Sequence, residues 1–110
     1  LAWPARGMVA DPGIHLMGWT REQAVEFMGL AGRMTASELD EMVDRIAVLP
    51  GQLTSYDSGG LEIVALRALA EQRLGDRFDV REFHDRVLEN GTVPLEMLRS
   101  HIEAWLSESE

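Results

Sequence analysis

Apolar residues recur every three or four positions along most of this chain, the spacing of helices that bury one face. The cleanest stripe is Leu39, Met42, Val43 and Ile46, with Asp40, Glu41 and Asp44 falling off it onto a solvated face. Thr35 and Glu38 form a capping box that opens this helix. Pro50 closes it at Leu49, because a residue before proline is pushed out of the α region. An earlier helix opens at Thr20 with Gln23, carries Ala24, Phe27, Met28 and Ala31 inward, and stops at Gly32. Before it, Pro4 and Pro12 bound a short helix of about two turns, Asp11-Pro12-Gly13 reads as a turn, and Ile14 to Trp19 is an apolar connection.

After Pro50 a longer pattern runs from Gly51 to Leu74 through Leu53, Tyr56, Gly60, Ile63, Leu66 and Ala70. Gly59-Gly60 interrupts it, predicting either a kink or a close approach by another helix. Gly75 is the stop. Asp79 with Glu82 starts the next helix, which buries Val80, Phe83, Val87 and Leu88 and ends at Asn90-Gly91. Pro94 begins the last helix, with Leu95, Leu98, Ile102, Trp105 and Leu106 inward, and Ser107 to Glu110 form a frayed acidic tail. The expected fold is therefore all-α: five to six helices in one bundle-like domain over residues 1–110, with no strand.

Length and composition narrow the function. At 110 residues one domain with a real core is the default. A net charge of −9 argues against nucleic acid or an anionic membrane surface as partner. No apolar run approaches the ~20 residues that span a bilayer, and no signal-peptide pattern opens the chain. The compartment stays open, cytoplasmic or exported by a signal outside this stretch. Leu1 in place of an initiating methionine, followed by uncapped residues, predicts a fragment of a longer chain.

Candidate chemistry is sparse. With zero cysteines there is no thiolate site, no HExxH occurs, and His15, His84 and His101 lack the Glu-x-x-His spacing of di-iron bundles. No metal site is expected within the chain. Asp11 and His15 are four apart, but the turn between them separates them. His84 reads as hydrogen-bonded beside Phe83 and His101 as a surface residue. Trp3, Trp19 and Trp105 read as core or interface anchors. Asp40 and Asp44 are a like-charged pair one turn apart, mildly destabilising. Tyr56, the only tyrosine, lies four residues after Gln52 at the positive end of its helix. It fits either a core tyrosine with a satisfied hydroxyl or a site for chemistry.

Three stretches carry a resemblance. The first is Ala5-Arg6-Gly7-Met8-Val9-Ala10-Asp11-Pro12-Gly13-Ile14-His15 with Gly18-Trp19-Thr20-Arg21-Glu22-Gln23-Ala24. The second is Arg45, Pro50-Gly51-Gln52, Tyr56 and Gly59. The third is Leu74-Gly75-Asp76, Phe78-Asp79, Phe83-His84-Asp85, Leu88, Gly91 and Pro94-Leu95. In this order the chain resembles the C-terminal part of the bacterial domain-of-unknown-function 885 family, which looks like a group of zinc peptidases.

The resemblance implies the end of a larger, mostly helical peptidase fold whose zinc ligands lie upstream. The chain alone would then be inactive and hold no cofactor, with zinc in the full-length protein. Its partners would be the N-terminal part of the same protein and a peptide substrate. Tyr56 would stabilise the oxyanion, His15 would face or support the substrate, and Arg45 and Gln52 would orient substrate or Tyr56. This sequence departs from the family pattern at Pro12, Ile46, Thr54-Ser55 and Asp57. The departures cluster around the implied site, as altered specificity or lost catalysis would produce. The alternative is a stand-alone helical interaction module that self-associates through exposed apolar surface.

Overall fold

Six α-helices are present among the described residues: α1 (Ala2–Leu16), α2 (Arg21–Gly29), α3 (Ala36–Val48), α4 (Gln52–Leu74), α5 (Val80–Leu88) and α6 (Leu95–Ser109), with a 3₁₀ turn at Gly75–Arg77 after α4. The computed structural model describes residues 2–110, with side chains from residue 4 onward. Trp3, expected as an anchor, has its side chain outside them. The fold is all-α, and the chain divides into two units, Leu1–Ser58 and Gly59–Glu110.

In the first unit the core is Ala10, Met28, Ile46 and Leu53, with Ile14, Trp19, Phe27, Leu39 and Met42 packed against it. Both capping boxes form. Thr20 N–H donates to Gln23 Oε1 at 2.8 Å and Gln23 N–H to Thr20 Oγ1 at 3.2 Å. Thr35 and Glu38 exchange the same pair at 2.7 and 3.2 Å. Helix α2 ends at Gly29 rather than Gly32, and Ala31 is exposed. Gly32 and Arg33 both take positive φ, 65° and 71°, which turns the chain before α3. The Asp40–Asp44 repulsion is offset by Arg21, whose Nη1 donates to Asp44 Oδ1 at 2.6 Å while Nη2 lies 3.4 Å from Asp40 Oδ1.

Helix α1 departs most from expectation. It runs through Pro12, which removes one N–H and would end an unsupported helix. Packing holds the last turn. Ala10 and Gly13 are buried, and a Cβ on Gly13 would sit 2.5 Å from the Trp19 ring, so only glycine admits the indole. Gly18, at φ 70°, turns the chain back, and Trp19 N–H donates to Gly13 O at 2.9 Å.

Helix α4 is unbroken across Gly59-Gly60, and nothing lies within 4 Å of a Cβ built on either glycine, so no helix approaches there among the described residues. Its stripe is interrupted instead. Leu53, Leu66, Ala70 and Leu74 are buried, whereas Tyr56 and Ile63 are exposed, as are Leu61 and Val64. The burial lapses where the chain passes from one unit to the other.

The second unit packs Leu66, Ala70, Leu74, Phe83, Leu98, Ile102, Trp105 and Leu106 into one core. Asp79 caps α5 through Arg81 N–H at 2.8 Å, but Glu82 does not complete a capping box. It accepts from Trp105 Nε1 at 3.3 Å. Leu88 is exposed rather than buried. The tail expected to fray is helical to Ser109. Arg77 Nη1 donates to Ser109 O at 2.6 Å, satisfying a carbonyl the helix end leaves open, and Arg73 Nε donates to the side-chain Glu110 Oε1 at 2.5 Å.

Candidate functional site

Helix α4 begins without a capping side chain of its own. Pro50 and Gly51 precede it, and Gly51 adopts φ 82°, a conformation that favours glycine. Its first N–H groups need acceptors. Gln52 N–H donates to Leu49 O at 3.2 Å, and Asp11, on α1, takes others: Oδ1 accepts from Gly51 N–H at 3.0 Å, and Oδ2 accepts from Thr54 N–H at 3.2 Å and Thr54 Oγ1 at 2.8 Å. Asp11 is 2% exposed and is the buried charged residue among the described residues. Burial pushes its carboxyl up, but the hydrogen bonds from Gly51 and Thr54 outweigh this and hold it below the usual 3.8. The positive end of α4 is thus already occupied by a carboxylate of the chain itself.

Gly7, one turn before Asp11, makes this approach of α1 to α4 possible. A Cβ there would lie 2.7 Å from the Leu53 side chain. Beyond Asp11 comes His15. Continuing α1 through Pro12 puts the two on one face, correcting the expectation that a turn separates them. His15 Nε2 is 3.7 Å from Asp11 Oδ1 and 2.8 Å from Ile46 O. A carbonyl only accepts, so Nε2 carries the proton in that bond and Nδ1 is the acceptor when the ring is neutral. His15, Thr54, Ser55 and Ser58 line an open depression of about 530 Å³ beside Asp11.

The other three expected site residues form one network. Arg45 Nε donates to Gln52 Oε1 at 2.8 Å, and Arg45 Nη2 donates to Tyr56 Oη at 3.0 Å. The one-turn spacing of Gln52 and Tyr56 on α4 lets one guanidinium reach both. Tyr56 is 47% exposed, so the core alternative is overturned. Arg45 also lines a second depression of about 440 Å³ with Arg33, Met34, Glu38, Glu41 and Met42.

The remaining histidines lie in the second unit. His84 is exposed, with its ring 6.0 Å from Phe83, and His101 Nε2 lies 2.5 Å from Glu89 Oε1. Among the described residues no three His, Asp or Glu side chains are grouped to hold a metal ion. No helix among them is long and apolar enough to cross a membrane.

Asp11 is the residue that sequence reasoning missed. Its signal was indirect: a helix opening on Pro50-Gly51 has no side chain at its cap to accept from Thr54 N–H, which leaves room for an acceptor from elsewhere in the chain.

No curated protein matches the chain. Over 96% of its length it is similar to the crystal structure of a putative lipoprotein from Colwellia psychrerythraea, at 40% identity and a TM-score of 0.90. It spans 18% of that protein's chain. Residues 2–102, which include Asp11, His15, Arg45, Gln52 and Tyr56, match the family described as bacterial protein of unknown function, DUF885, and the chain belongs to that family.

Proposed function

We propose that this chain is the helical region of a zinc-peptidase-like protein that supplies Tyr56 as the donor to the oxyanion formed at a peptide carbonyl. The observation that carries the reading is the contact of Arg45 Nη2 with Tyr56 Oη at 3.0 Å on an exposed phenol. A hydroxyl that accepts from a cation is polarised and becomes a stronger donor through its own proton. Gln52, held by the same guanidinium, fixes the Arg45 plane. His15 offers Nδ1 as an acceptor for substrate N–H or hydroxyl groups at the neighbouring depression. In this reading the contribution of the chain is hydrogen bonding and positioning.

Removing one oxyanion donor costs about 10²–10³ in kcat. In the full-length protein, Tyr56→Phe is expected to lower kcat on a quenched fluorescent peptide library by about 100-fold, with KM within about 2-fold. Unchanged turnover would return Tyr56 to an ordinary surface residue. A wild-type protein that cleaves no peptide would end the peptidase reading altogether.

The exposed Leu61 and Val64 on α4 favour a second reading, a helical module that pairs with another copy of itself. Light scattering separates the two, since a monomer at high concentration would sink self-association.

A further inference from the structure

Helix α1 meets the start of α4 at two successive turns. Gly7 sits against Leu53, and Asp11 binds Gly51 and Thr54. Leu53 and Thr54 lie between Gln52 and Tyr56 in sequence. Each residue advances a helix by about 100°, so fixing the direction of residues 53 and 54 fixes that of 52 and 56. A phenol hydroxyl lies far from the helix axis, and a rotation of roughly 20° would carry it about 3 Å, out of reach of Arg45. A helix that starts without a cap of its own frays and turns at its first residues.

We propose that Asp11 is the positioning residue of this site: its carboxylate locks the first turn of α4 and thereby holds the Tyr56 hydroxyl against Arg45. The functional side of this inference rests on the reading of Tyr56 as oxyanion donor. Asp11 itself is 2% exposed and acts through the helix rather than on a substrate. It also occupies the positive end of α4, which excludes a phosphate or other anion from that helix end. The same carboxylate lies 3.7 Å from His15 Nε2, whose own hydrogen bond goes to Ile46 O at 2.8 Å.

The test uses the full-length protein labelled with ¹³Cζ-tyrosine, the Tyr56 signal being assigned by its loss in Tyr56→Phe. Asp11→Asn removes the charge and turns one acceptor into a donor facing donors. It is expected to shift and broaden the Tyr56 signal and to speed amide exchange at Gly51 and Thr54 by at least about 10-fold. Peptide turnover should fall about 10-fold with KM within about 2-fold. On the Tyr56→Phe background the same change should have almost no further effect on kcat, because the two residues act as one unit. Thr54→Val removes one of the three bonds and keeps the Thr54 N–H. It should show the same changes at smaller size, and it carries the test if Asp11→Asn does not fold.

A Tyr56 signal unmoved by either variant would overturn the positioning role. So would an Asp11→Asn loss of kcat equally large with and without Tyr56. If Tyr56→Phe turns over normally while Asp11→Asn still moves the Tyr56 signal, the positioning stands and the oxyanion reading falls.

Discussion

In Gly59–Glu110 the buried side chains are apolar, and the polar contacts between its helices, Trp105 Nε1 to Glu82, Arg99 to Glu62 and Arg73 to Glu110, lie at the edge of that core. Phe83, Ile102 and Leu106 are at most 1% exposed, while the ion pairs Arg67–Glu71, Arg86–Glu82 and Arg99–Glu103 sit on partly exposed surfaces. Exposed pairs of this kind contribute about 0–1 kcal/mol each, so hydrophobic burial sets the stability of this unit. In Leu1–Ser58 polar groups join the helices. Asp11 bridges α1 to α4, His15 reaches Ile46 O on α3, Arg45 of α3 reaches Gln52 and Tyr56 on α4, and Arg6 Nη1 donates to Met28 O on α2. The difference teaches where function is to be sought. A packed apolar unit tolerates volume-conserving exchange, whereas a hydrogen-bonded junction has one geometry and holds side chains in place.

The largest effect expected from breaking this contrast is in the second unit. Phe83→Ala should cost about 3–5 kcal/mol, the transfer term plus an unfilled cavity. The unfolding transition of fluorine-labelled Trp105, followed in urea, reads it. Trp19, labelled in the same way, reports the first unit, and a Trp19 transition that moved equally would show that both units unfold as one.

Next comes Gly7→Ala, expected to cost about 1–3 kcal/mol because a methyl placed 2.7 Å from Leu53 must push α1 from α4. The Trp19 transition should move and the Tyr56 signal with it. A neutral result would mean that Leu53 can turn aside and that the close approach is not needed.

The smallest effect concerns acid. Asp11 has a folded value below 3.8, so its charged form is favoured by folding. Its contribution is complete above the unfolded value and fades as pH falls through the depressed folded one. The stability gap between wild type and Asp11→Asn should therefore be level from about pH 7 to 5 and shrink below about pH 4. Urea midpoints at each pH measure it. A gap that does not change down to pH 2 would mean that the Asp11 charge is not what α4 gains.

Much of this was legible before any coordinates. Thr20-Gln23 and Thr35-Glu38 announce helix starts because a capping box is a local device, complete within four residues. The stripes of α3 and α6 are equally local. Tyr56 was harder to read. Its spacing fits an apolar stripe, but a helix passing between two units buries its face discontinuously, and periodicity carries no record of where the neighbours end. Pro12 misled for a related reason. Proline removes one hydrogen bond anywhere, but whether the helix survives depends on what packs around the gap. The acidic tail also reads as solvent-loving, yet Arg73 and Arg77 hold it from helix α4 and the turn after it.

By itself the sequence determined the all-α class, the two threonine capping boxes, the stop at Leu49, the family, and the shared face of Gln52 and Tyr56, since these depend on residues a turn or two apart. Only the tertiary structure decided that Asp11 caps a helix 40 positions away, that Gly7 opens the path for it, and that Arg45 gathers Gln52 and Tyr56. Those contacts join residues on different helices. A buried carboxylate and a helix end without a cap become one interaction only when packing brings them together.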